Sequence, residues 1–169
     1  MSRSIPDPGF RDDDGTAEPA VTAALSAYDA GSGAYVDALA ALQLGRLLVP
    51  VVAVPGQDGG EVAVDAGSSH EKTSDLAAVL LTRPDGRRGL LAFTSAAALA
   101  AWNPEARPVP VATPTAARAA LQEQAGALVV DVAGPVRFAI EGDDLRRLAE
   151  GWRLTRVGKR AAWIRPASE

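Results

Sequence analysis

Val21, Leu25 and Tyr28 recur at about one helical turn, and so do Tyr35, Leu39 and Leu42. This spacing predicts a helix opening near Pro19 and ending at Gly31-Ser32-Gly33, followed by a second helix that Gly45 stops. The pattern then changes. Residues 46–54 (RLLVPVVAV) form an apolar, β-branched run that reads as a buried strand. Within it Pro50 lacks the N–H that a ladder bond needs, which argues for an edge position or a bulge. Residues 56–60 are rich in turn formers, 61–65 read as a short strand, and 66–74 as a polar connection.

Two apolar runs, 76–81 and 90–93, flank Asp85-Gly86, a dipeptide suited to the positive φ angles of a type I′ turn, so this stretch predicts a β-hairpin. Thr94 or Ser95 supplies a cap for a helix over 96–102 that Asn103-Pro104 stops, with Trp102 anchoring it to the sheet. Residues 108–112 are a short extended segment. Thr113 as cap and Pro114 at the first helical position open a further helix through Leu121 to Gln124, which Gly126 ends. Strands over 128–132 and 136–140 flank the Gly134-Pro135 turn, and Asp143 or Asp144 starts a last helix that Gly151 terminates.

Strands and helices alternate from Arg46 onward, but the two tight turns demand antiparallel neighbours. The expected fold is therefore α/β in the α+β sense: a mixed sheet of about five strands with an antiparallel hairpin, packed against about five helices. The domain spans residues 19–151. Residues 1–18, with Pro6, Pro8 and the Asp12 to Asp14 run, read as a disordered acidic leader. Residues 152–169 form a basic hairpin or tail, in which a two-residue turn at Gly158-Lys159 sets Leu154 opposite Trp163 and Trp152 opposite Arg165.

Composition narrows the chemistry. The hydrophobic share is 47% with only 5% aromatic, much of it alanine, so the expected core is leucine and valine. With no cysteine, the chain has no disulfide, thiolate nucleophile or cysteine-ligated metal. No apolar run is long enough for a membrane span and no signal-peptide pattern is present, so the expected location is cytoplasmic, with no membrane partner. The net charge of −4 gives no general reason to expect nucleic acid. Between Arg146 and Arg165, however, basic residues exceed acidic ones by six, and Arg153, Arg156, Lys159, Arg160 and Arg165 form a candidate interaction patch for phosphates or an acidic partner.

Catalytic patterns do not assemble. Ser69, His70 and Glu71 lie together in one polar loop, which cannot aim three groups as a triad requires, so a hydrolase using Ser69 and His70 is only the alternative reading. Gly31-Ser32-Gly33 lacks both the spacing of a nucleophile elbow and a preceding strand. Gly158-Lys159 is followed by Arg160 where a phosphate-binding loop needs Ser or Thr. One histidine cannot supply a nitrogen-rich metal site, and Asp143 and Asp144 suit the free N–H groups of a helix start. No catalytic residue, cofactor or metal is expected.

Residues 47–52 (LLVPVV), 71–76 (EKTSDL), Asp85-Gly86-Arg87-Arg88 and Ala92-Phe93-Thr94-Ser95 with Trp102 together resemble the SseB N-terminal domain family, as do Leu128-Val129-Val130-Asp131 and Gly134-Pro135. The resemblance runs from about Ala20 to Glu150, and the Ala, Gly and Arg bias is similar to that of actinobacterial members. It implies a small α/β domain with no accepted catalytic residues to carry over. The expectation is a non-enzymatic binding module with an unknown protein partner, nucleic acid unlikely, and an oligomeric state that the sequence leaves open.

Overall fold

The structure is a computed structural model that describes residues 10, 12–53 and 76–168. Its elements run α1 (Pro19–Asp29), α2 (Tyr35–Gln43), β1 (Arg46–Ala53), β2 (Leu76–Ala78), β3 (Leu80–Thr82), β4 (Arg88–Ala92), α3 (Ala96–Trp102), β5 (Arg107–Ala112), α4 (Thr113–Gln122), β6 (Ala127–Val130), β7 (Phe138–Glu141), α5 (Gly142–Ala149), β8 (Arg153–Val157) and β9 (Arg160–Ile164). Helices and a mixed sheet system make this an α+β fold, as expected. The strands are more numerous and shorter than the sequence pattern suggests, and fall in three ladders: β2-β1-β5, β3-β4-β6-β7 and β8-β9. The expected strand over 61–65, with the loops on either side of it, lies outside the described residues.

The first two ladders join at β1, and Pro50 marks the join. Leu48 exchanges both backbone hydrogen bonds with Phe93, just past β4, while Val52 pairs with Ala77 of β2. Strand alternation turns the nitrogen of Pro50 toward this same side, into the gap where β1 changes neighbour. Its missing N–H is therefore not missed, and β1 is an interior strand, neither edge nor bulge. The same alternation turns Pro108 and Pro110 of β5 away from β1, toward a side on which no described strand pairs.

Strand β4 is buried on both faces, which is why it reads as an unbroken apolar run. Leu90 and Ala92 join Leu80, Leu128, Val130, Phe138 and Ile140 beneath the helices, whereas Leu91 and Phe93 join Leu48, Ala98 and Leu99 on the opposite face. Helix α4 enters the larger core through Ala116, Ala117 and Ala120, each fully buried. Alanine is thus a structural part of the core beside leucine and valine, since its small side chain lets α4 lie close to the sheet and to α5.

The hairpin between β3 and β4 closes differently from expectation. Arg83-Pro84-Asp85-Gly86 forms a turn closed by Gly86 N–H to Arg83 O at 2.9 Å, and only Gly86 has positive φ, at 86°. Together with the bond from Arg83 N–H to Arg87 O, this is the three-residue loop of an ordinary turn followed by a left-handed glycine, in which Pro84 takes the first central position that its fixed negative φ suits.

Left-handed glycines end α1 and α5, and α4 ends without one. Gly31 and Gly151 adopt positive φ, and the residues after them return hydrogen bonds to Ala27 O and Arg147 O. The corresponding position after α4 is Gln124, with φ 57°, followed by Ala125 N–H bonding Ala120 O. Gln124, and not Gly126, ends that helix. Thr113 likewise does not cap it: it is the first helical residue, and its buried hydroxyl donates to Leu42 O at 2.7 Å and Gly45 O at 3.1 Å, tying α4 to the end of α2. Ser95 caps α3 as expected, accepting from Ala98 N–H at 3.0 Å.

Candidate functional site

The four-stranded sheet has two unlike faces. One is sealed under the larger core, while among the described residues the other is covered at one end only, where α3 lays Leu99 and Ala98 against Leu91 and Phe93 and where Trp102 meets Phe93 at 5.6 Å between rings. Across the remainder the register sets Leu81, Gly89, Ala127 and Glu141 in one row, and Val129 and Ala139 beside the shielded Leu91 in the next. A groove of about 770 Å³ lies here, with a floor of Leu81, Gly89, Val129 and Val132. Gly89 keeps that floor low: a Cβ there would stand 2.7 Å from Cγ2 of Val129.

Arginines rim the groove. Arg83 and Arg87 project from the β3–β4 turn, Arg88 opens β4, and Arg137 immediately precedes β7 on the far side. Arg87 bonds Asp85 through Nε at 2.9 Å, and its backbone N–H, with that guanidinium, holds the Asp85 carboxyl below the usual carboxylate range. Arg83 and Arg137 are exposed and make no salt bridge among the described residues. Among the described residues Glu141 is the one acid in the lining. Sequence reasoning did not single out Arg83 and Arg137, because nothing local shows that a hairpin turn and a strand start three strands away border one surface.

A second cleft, about 760 Å³, runs between the leader and the start of β1. There Arg46 bonds Asp13 with both Nε and Nη2, Thr94 O with Nη1, and Thr16 O at 2.7 Å, so its donors are already engaged. The side-chain bond from Arg46 lowers the Asp13 pKa below its ordinary value. The Asp13–Thr16 part of the acidic leader, which composition gave no reason to order, is in this way held on the domain. Nearby, Asp131 is fully buried at the end of β6 with φ 52°, and its carboxyl accepts from Thr94 N–H at 2.8 Å and Thr94 Oγ1 at 2.7 Å. Burial raises its pKa against those hydrogen bonds. Both of its oxygens are committed to Thr94, so it clasps the carboxyl ends of the parallel pair β4 and β6 and presents no reactive face.

The basic hairpin forms in the expected register, with Leu154 opposite Trp163. That register divides its cations. Arg156 and Arg165 share the face of Leu154 and Trp163, where Arg156 pairs with Asp37 at 3.4 Å and Arg165 lies 5.0 Å over the Trp152 ring. Arg153 and Arg160 point from the opposite face at opposite ends, and Lys159 sits in the turn. The five residues of the expected patch are therefore not gathered on one surface. Gln43 explains how the hairpin is seated: its side-chain amide donates to Leu154 O and accepts from Leu154 N–H at 2.8 Å, as a neighbouring strand would. Asp144, at the start of α5, accepts from Nε1 of Trp163 at 3.1 Å, while Asp143 pairs with Arg146.

Ser69 and His70 lie outside the described residues. Among those described, no group of three or more His, Cys, Asp or Glu is placed to hold a metal ion, and no helix is long and apolar enough to cross a membrane.

The fold and the groove define a small α+β domain whose open sheet face is apolar at its floor and basic at its rim. Residues 21–147 match the family model of the SseB protein N-terminal domain, and the chain belongs to that family. No curated protein and no solved structure matches the chain.

Proposed function

We propose that the protein is a non-enzymatic interaction module of the cytoplasm whose binding surface is the groove over β3, β4, β6 and β7. The observation that carries this reading is the uncovered half of an otherwise packed sheet. Helix α3 shields Leu91 and Phe93, but among the described residues nothing covers Leu81, Val129 and Val132, which remain only half-buried around a depression that Gly89 keeps open. An apolar depression with polar groups at its margin is the usual form of a binding site. The buried polar groups elsewhere support the same reading: Thr113 and Asp131 spend their hydrogen-bonding capacity on the fold itself.

The test is a photo-crosslinking residue placed at Ala139, exposed within the groove, and separately at Thr115, exposed on α4, in the full chain mixed with native extract. The expected result is a product from position 139 that excess unlabelled chain suppresses and that position 115 does not give. The same products from both positions, or none from 139, would remove the groove from consideration.

A further inference from the structure

The groove's charge and dimensions say more about its occupant. We infer that the ligand is an acidic, extended peptide segment carrying apolar side chains, an inference that rests on the groove being the binding surface. The chain as a whole carries a net charge of −4, yet this rim places Arg83, Arg87 and Arg137 against Glu141 and Asp85. A local positive margin on an acidic protein attracts anionic segments and repels basic ones.

The arrangement also selects for length. The pairing register separates the β3–β4 turn from Arg137 by about three strand spacings across the sheet and about six residues along it, on the order of 25 Å. A single phosphate or small carboxylate cannot reach both ends. An extended peptide of about seven residues can, with alternate side chains facing the apolar floor of Leu81, Val129 and Val132 and its carboxylates meeting the arginines at either end. Nucleic acid fits less well. The aromatic rings at the groove, Tyr28 and Phe138, are packed edge to face on each other at 5.3 Å, with Phe138 buried, and so offer no free platform for a base.

The experiment is fluorescence anisotropy with the full chain and three labelled probes at low and at physiological salt: a Glu/Asp heptapeptide with two leucines, its Lys counterpart, and a single-stranded DNA of similar charge. The acidic peptide is expected to bind saturably, to weaken with salt, and to lose at least about tenfold in affinity in the Arg83→Glu, Arg137→Glu double variant. Both positions are exposed, and circular dichroism checks the variant's fold. Ala139→Glu, in the groove lining on β7, is expected to weaken binding with the rim arginines intact. Equal binding of the Lys peptide, tighter binding of the DNA, or acidic-peptide binding that survives charge reversal would each overturn the inference. If a partner crosslinks from position 139 while the acidic peptide does not bind, the ligand class falls and the groove reading stands. If the peptide binds but neither the charge reversal nor Ala139→Glu weakens it, the groove reading falls and the inference with it.

Discussion

Gln124 stands where two other helices of this protein place glycine, and that single residue carries a measurable cost. Its φ of 57° is in the left-handed region, where a Cβ crowds the following carbonyl, and it is tolerated because Gln124 and Ala125 together satisfy the last carbonyls of α4. Gln124→Gly is therefore expected to stabilise the protein by up to about 1 kcal/mol, the relief of strain outweighing glycine's extra freedom when unfolded, as a rise in the denaturant midpoint at unchanged slope would show. A lower midpoint would mean that the side chain contributes packing that outweighs the strain. Thr113 shows the same limit of local reading. As a threonine before a proline it resembles a helix cap, but its hydroxyl goes to α2, because the chain brings the orphan carbonyls of that helix within reach.

At the scale of elements, the docked part of the leader depends on a titratable contact. Asp13 has its pKa lowered from 3.8 in the folded state, chiefly by the bond from Arg46, so the contact contributes fully above that value and is lost as pH falls through the lower, folded value. The first-turn N–H of α3, on Ala96, reports on it, because its hydrogen bond goes to Gly15 O at 2.7 Å. Protection from hydrogen exchange, taken relative to the intrinsic rate at each pH, is expected to fall at Ala96 under acid before it falls at Leu128 in the core, and to be low at neutral pH in Arg46→Met. Slow exchange at Ala96 in that variant would show that the leader is held by something other than Arg46. Elements that depend on one contiguous pattern were legible: the two opening helices, the β3–β4 hairpin and the β8–β9 register follow from apolar spacing and turn residues. The docking of residues 13–16 was not, because Arg46 lies 33 positions from Asp13 and its other partner, Thr94 O, comes from a third segment.

For the whole molecule, prolines mark where the described sheet stops. Pro108 and Pro110 deprive the outer side of β5 of donors, which leaves that edge a poor template for another chain. Replacing both by threonine is expected to raise the association state in sedimentation measurements, whereas Pro50→Thr, facing the interior gap of the sheet, is not. If all three changes leave the association state unaltered, the edge is protected by other means. The groove also belongs to this scale. Its rim comes from a hairpin turn and from the residue before β7, and only the order β3-β4-β6-β7 with the parallel pairing of β4 and β6 brings them to one face.

The sequence by itself determined the class of fold, the family, most of the helices, the hairpins and the absence of cysteine chemistry, because each of these rests on residue identity or on periodicity within a short window. The tertiary structure alone decided that β1 changes neighbours at Pro50, that Asp131 clasps two parallel strands, that the tail cations part to opposite faces, and that arginines far apart in the chain rim one apolar groove. These depend on strand order and register, which long-range burial selects among many local alternatives of similar energy.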